Sequence, residues 1–178
     1  MSAEAELPAR MGEWVIGTEP GTVLSCVGLG SCIGLALLDR RGGMAGLAHV
    51  MLPESPAAGP PPAQPGKFAD LAVPALVEGL LAAGGMRHRL EAVLVGGARM
   101  FSFTAVATQD IGCRNEAAVR EQLTRARIRI CATATGGDKG RTVRVIVATG
   151  EVVCHEAAGE TVTLVPAMAT RWPVAVPA

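Results

Sequence analysis

Tyrosine is absent from this chain of 178 residues, and three phenylalanines and two tryptophans bring its aromatic share to only 3%. So few rings leave little on which nucleic-acid bases can stack. Sixteen basic residues are offset by sixteen acidic ones, so no bulk charge draws in a polyanion, and nucleic acid is excluded as a partner. Cys-x-x-Cys spacing is also missing. Five cysteines, at 26, 32, 113, 131 and 154, form an odd set that suggests neither a disulfide framework nor a zinc site. Cys154 and His155 are adjacent, but neighbours on a strand face opposite ways, so no metal is expected there. Reduced thiols fit a cytoplasmic location. Glu4 and Glu6 interrupt the N-terminal stretch, and no apolar run follows a basic start, so no secretory leader is expected. The uncharged run 20–38 is broken by Pro20, Gly21, Gly28, Gly30 and Gly34. It reads as strand, turn and buried strand, with no membrane insertion.

What is present is apolar residue, 49% of the chain, enough for a core. A chain of this length is expected to form one domain over 1–178 and to bury roughly 70% of its unfolded surface. Strand-like runs occur at 22–27, 33–38, 44–51, 90–95, 128–133, 142–148, 151–155 and 161–165, with Thr149-Gly150 as a tight turn. Residues 68–83 carry helical spacing at Phe68, Leu71, Ala72, Ala75, Leu76 and Leu80 and stop at Gly84-Gly85, although Pro74 falls inside. A second helix is expected over 115–127, with Asn115 as its cap, Val119, Leu123 and Ala126 buried, and Glu116–Arg120 and Glu121–Arg125 pairs outside. Strands outnumber helices without regular alternation, which predicts an α/β fold of the mixed-sheet layered sandwich type rather than a doubly wound sheet. The proline-rich segment 55–65 reads as a semi-rigid surface loop, and 166–178 as a tail.

Chemistry concentrates at Gly28-Leu29-Gly30-Ser31-Cys32 and at His49 in the apolar run 46–53. A thiol becomes a strong nucleophile at neutral pH when a base or a positive charge lowers its pKa from about 8.5. Glycines around Cys32 suit a turn whose N–H groups face an incoming carbonyl oxygen, as acyl transfer requires. A dinucleotide fingerprint would need its third glycine at 33, where Ile33 stands. Taken alone, the cysteine and histidine also fit a packed core, where both residue types are common.

A wider pattern decides between these readings. Gly12-Glu13-Trp14, Pro20-Gly21, Gly28-Leu29-Gly30-Ser31-Cys32, Ala48-His49-Val50-Met51-Leu52-Pro53, Gly66-Lys67-Phe68-Ala69-Asp70, Gly96-Gly97-Ala98-Arg99-Met100-Phe101, Ile111-Gly112-Cys113-Arg114-Asn115 and Gly136-Gly137-Asp138-Lys139-Gly140-Arg141 occur in this order. Together, from about 12 to about 165, they resemble the CheD family of chemoreceptor glutamine deamidases. The resemblance implies a cytoplasmic enzyme that converts selected glutamines on the helical cytoplasmic domain of chemoreceptors to glutamate through a thioacyl intermediate. It implies a fold similar to the deamidase domain of cytotoxic necrotizing toxins, and no cofactor. Cys32 matches the nucleophile and His49 its base. The family's threonine, six residues before the nucleophile, is Cys26 here, a weaker hydrogen-bond partner than a hydroxyl. Ser31 is the nearest hydroxyl and a candidate auxiliary or oxyanion N–H donor, and Met100 and Phe101 are candidates for the substrate or partner surface. A CheC-type phosphatase is the implied partner. Two alternatives accompany this reading: a binding module that regulates such a phosphatase or a receptor, and a cysteine hydrolase acting on other protein glutamines or on glutamyl methyl esters.

Overall fold

The computed structural model describes residues 5–99 and 110–169. Met100 and Phe101, the expected contact surface, lie outside the described residues, as does the tail from 170 onward. Among the described residues ten strands form two five-stranded sheets. The first takes β1 (Ala5–Pro8), β3 (Thr22–Leu29), β8 (Arg141–Ile146), β9 (Glu151–Glu156) and β10 (Thr161–Val165), in that order. The second runs β2 (Trp14–Gly17), β5 (Met44–Val50), β4 (Ile33–Asp39), β6 (Glu91–Gly96) and β7 (Arg129–Thr135). Pairings β1–β3 and β6–β7 are parallel and the rest antiparallel, so both sheets are mixed.

Helices α1 (Ala69–Ala82) and α2 (Ile111–Ala126) cover the outer face of the second sheet. Alternation along the strands divides the core in two. Ile33, Leu35 and Leu37 of β4 meet the helices with Ala48 and Val50 of β5, whereas Ala36, Leu38, Ala45 and Leu47 face the first sheet through Leu24, Val143 and Val145. Both faces of β4 and β5 are thus covered, which is why every residue in them is buried and why their sequence runs apolar without alternation.

The helical stripe of α1 is Ala69, Ala72, Val73, Leu76, Val77 and Leu80, turned by one position from the expected set so that Leu71 and Ala75 are only half-buried. Pro74 lies within a continuous helix; it forgoes only the bond to Asp70's carbonyl. Helix α2 starts four residues before the expected cap. Asp110 is the N-cap, its side chain accepting from the Cys113 N–H at 3.3 Å, so Asn115 is interior. The run 20–38 forms β3, a turn and β4. Among the described residues no helix is long and apolar enough to cross a membrane.

Candidate functional site

Cys32 is the last residue of the turn joining β3 to β4, and His49 is the penultimate residue of β5. Gly34 of β4 sits directly opposite His49. That ladder ends at Ile33↔Val50, so Cys32 immediately precedes its last pair and lies two residues before the partner of His49. Both side chains belong to the face turned toward the first sheet, since Cys32 packs on the inter-sheet cluster and His49 continues the Ala45, Leu47 series. Between them Gly34 contributes no side chain; a Cβ there would meet Leu29 Cδ1 at 2.8 Å.

Glycines shape the thiol's surroundings at two positions. Gly28 has φ +73° at the bulge between Cys26 and Leu29, and such a bulge re-aims the strand into the turn. Gly96, at φ +114°, ends β6 against the turn, where a Cβ would stand 2.2 Å from the Cys32 carbonyl oxygen. The next residue, Gly97, donates its N–H to that carbonyl at 2.9 Å, and Ala98 donates to Gly30's carbonyl at 2.8 Å. Behind this loop Arg141 donates to the carbonyls of Gly136 at 2.7 Å and Gly96 at 3.4 Å, while pairing with Glu156 at 3.1 Å. The Gly136-Gly137 to Arg141 motif is therefore a brace behind the cysteine turn.

Other motif residues converge on His49. Gly12 donates to its carbonyl at 3.1 Å, and its own N–H donates to Glu13 at 2.9 Å. The Gly66–Phe68 segment passes beneath, where the N–H groups of Met51 and Leu52 both donate to Lys67's carbonyl. A Cβ on Gly66 would lie 2.6 Å from Gly12's carbonyl oxygen, so only glycine allows this crossing.

His49 is 3% exposed, and neither ring nitrogen has a hydrogen-bond partner among the described residues. Burial pulls its pKa below 6.5, opposed by the Ala9 carbonyl beside the ring. The imidazole is neutral at pH 7 and able to accept a proton. Cys32 is half-buried. Its thiol is pushed up by that burial, with no neighbouring cation among the described residues to offset it, whereas the sequence suggested a lowered value. Thiol and imidazole thus rest as a neutral pair. Cys26 is fully buried in β3 and its Sγ donates to the Ala9 carbonyl at 3.5 Å, not to the imidazole; burial and then the nearby Cys32 push its thiol far up. The Ala9 carbonyl stands between Cys26 and His49 as a group that sequence reasoning passed over. Ser31 lies in the turn, and the N–H groups of Gly30, Ser31 and Cys32 donate to no acceptor among the described residues.

Asn115 was also missed. Fully buried, its Nδ2 donates to the carbonyls of Ser31 and Met51, each at 2.9 Å. Its signal was the spacing 115, 119, 123, which puts an asparagine on the same buried stripe as Val119 and Leu123.

Elsewhere, Cys154 is buried and the exposed His155 meets Thr161 Oγ1 at 2.9 Å. No group of three His, Cys, Asp or Glu side chains gathers to hold a metal among the described residues. Two clefts of about 540 and 520 Å³, one lined by Arg40, Arg87 and Arg127 and the other by Lys139, Glu156 and Val162, include neither Cys32 nor His49.

Comparison with known proteins bears on what this geometry is for. Residues 51–156 match a family model described as CheD chemotactic sensory transduction. A probable chemoreceptor glutamine deamidase CheD of Symbiobacterium thermophilum is 44% identical over 144 residues, 80% of this chain and 87% of that one. A protein of the same name in Clostridium botulinum strain Alaska E43 is 46% identical over 148 residues, covering 83% and 90%. Another in Geobacillus kaustophilus is 40% identical over 162 residues, covering 90% and 98%; a stretch of that length in 178 residues includes positions 32 and 49. Among solved structures, the hypothetical protein YfiH of Bacillus licheniformis aligns with 70% of this chain and 49% of its own at TM-score 0.44 and 13% identity, too loose a likeness to inform the fold.

Proposed function

The chain belongs to the CheD family, and from that premise we propose that it is a chemoreceptor glutamine deamidase, hydrolysing receptor glutamine side chains to glutamate with release of ammonia. One observation carries the assignment of residues: a half-buried thiol in the turn just before β4 and a buried neutral imidazole paired with Gly34, two residues further on, share the face toward the first sheet, beside amide N–H groups that have no partner among the described residues.

His49 takes the proton of Cys32 as the sulfur attacks the glutamine carboxamide carbon. Because burial disfavours a resting thiolate, this transfer coincides with attack and is not completed beforehand. The N–H groups of Gly30, Ser31 and Cys32 face the developing oxyanion, each donor contributing about 3 kcal/mol. His49 returns the proton to the departing ammonia. Water, deprotonated by the same imidazole, cleaves the thioester, leaving glutamate and a free thiol. Each turnover gives the receptor one negative charge.

The substrate is an exposed glutamine on the helical cytoplasmic domain of a chemoreceptor, met by a shallow surface rather than a deep pocket. A CheC-type phosphatase is the second partner, and the cytoplasm the place of action. The likeness to the deamidase domain of cytotoxic necrotizing toxins belongs to this reading as an expectation about the fold. Ser31 serves through its N–H, and Cys26 holds the family's threonine position through its bond to Ala9.

Ammonia release from an isolated receptor cytoplasmic domain tests the assignment. Wild-type protein should release it, and Cys32→Ala should lower the rate by about three orders of magnitude or more with the melting temperature nearly unchanged. Release by Cys32→Ala at the wild-type rate would remove Cys32 from the mechanism. A wild-type protein that binds receptor but releases no ammonia would be the binding module instead.

A further inference from the structure

Asn115 enters no step of that reaction, yet its contacts join the two elements that carry it. Both amide hydrogens are committed, one to the Ser31 carbonyl and one to the Met51 carbonyl. Since carbonyls only accept, the amide orientation is fixed. The acceptors flank the reacting pair: Ser31 precedes Cys32 by one residue, and Met51 follows His49 by two.

At this point the backbone ladder stops. The β4–β5 pairing ends at Ile33↔Val50, and at the next step Met51's N–H turns away to Lys67's carbonyl at 2.9 Å. Among the described residues no backbone hydrogen bond ties the cysteine turn to the end of the histidine strand, and the Asn115 carboxamide spans that gap. Its first helical turn is itself seated closely, because a Cβ on Gly112 would stand 2.5 Å from Gly97's carbonyl oxygen. The strut therefore has a rigid base. Its Oδ1 is buried with no partner among the described residues, a cost that an apolar residue on the same stripe as Val119 and Leu123 would not incur.

We propose that Asn115 is a positioning residue, whose carboxamide staples the carbonyls of Ser31 and Met51 and so sets the separation at which the proton passes from Cys32 to His49. It touches neither substrate nor reacting atoms. The proposal rests on the reading of Cys32 and His49 as the working pair, and its test is chosen to fail separately from that reading.

The readout is the pH dependence of Cys32 alkylation by iodoacetamide, which needs no receptor, in a chain carrying Cys113→Ser and Cys131→Ser. Asn115→Asp is nearly isosteric and presents oxygen to both carbonyls. Its alkylation profile should move toward that of His49→Gln, with the inflection at higher pH and the rate at pH 7 reduced about tenfold or more. With receptor, kcat should fall by about tenfold to a hundredfold while KM stays within about twofold. Asn115→Gln, which keeps both donors on a longer arm, should recover part of the loss. Should Asn115→Asp fail to fold by circular dichroism, Asn115→Ser replaces it, with the same expected direction. A folded variant that retains the wild-type alkylation profile and kcat overturns the proposal, as does a loss that only follows the unfolded fraction. If the wild-type chain releases no ammonia, the deamidase reading falls, and the alkylation profiles still decide the role of Asn115.

Discussion

Strands β4 and β5 carry buried polar groups at both ends, and the two ends treat them in opposite ways. At the hairpin end Asp39 is fully buried, and its carboxylate accepts from the N–H of Gly42 at 2.8 Å and of Met86 at 3.0 Å, with Arg89 at 3.9 Å. Every contact there closes a turn or anchors the approach to β6. At the other end, among the described residues, His49 has two orphaned nitrogens, Asn115 an orphaned oxygen, and the cysteine turn three N–H groups without acceptors. A satisfied buried carboxyl group holds structure together, whereas unpaired groups at the ends of rigid strands fit the proposed reaction. The same pair of strands thus builds a clasp at one end and the candidate site at the other.

Substitution at each end can break that contrast. The largest effect is expected from His49→Gln, which keeps size and polarity but cannot take the thiol's proton; kcat on receptor should fall about a thousandfold, with little loss of stability. A decrease of tenfold or less would move the base elsewhere. Asp39→Ala should do the reverse. Stranding the N–H groups of Gly42 and Met86 should lower unfolding free energy by about 3 kcal/mol in denaturant titration, while kcat per folded molecule stays at the wild-type value. A catalytic defect in the folded fraction would mean that the two ends are coupled.

The smallest effect concerns acid. The pKa of His49 is depressed in the fold, so below about pH 6.5 the unfolded chain binds the proton that the folded one refuses. Stability should accordingly decline as pH falls from about 6.5, by no more than about 1.4 kcal/mol per pH unit, and should be insensitive to this group above that range. Melting temperatures between pH 7 and 5 would report the slope, and His49→Gln should flatten it. An equal slope in wild type and variant would assign the acid sensitivity to other groups.

How much of this was legible in the sequence depended on how local the cause was. The strands at 33–39 and 44–50 announced themselves as apolar runs because both of their faces are covered. β1 and β2 did not: each is a four-residue edge strand, β1 is exposed throughout, and neither has an apolar pattern long enough to read. The start of α2 was misplaced because Asp110 and Asn115 are both good capping residues, and Gly112 in the first turn obscures which begins the helix. Cys32 and His49 could be picked out because the turn glycines and the family pattern lie beside them. Other parts of the site could not, since Asn115 reaches Ser31 and Met51 across 84 and 64 residues, and Gly96 matters only through the carbonyl it meets in space.

The neutral resting state of the thiol came from packing as well. A cysteine in a glycine-rich turn beside a histidine suggested a lowered pKa, but half-burial against the inter-sheet core acts in the other direction. In the proposed reaction such a thiol gives up its proton only as the substrate arrives.

The most direct test of the account is to trap the acyl-enzyme. Wild-type protein mixed with receptor cytoplasmic domain, quenched in acid during turnover and digested, should yield a receptor glutamyl peptide joined as a thioester to the peptide bearing Cys32, cleavable by hydroxylamine, with Cys26, Cys113, Cys131 and Cys154 unmodified. An adduct on any of those four, or steady ammonia release with Cys32 never acylated, would contradict it.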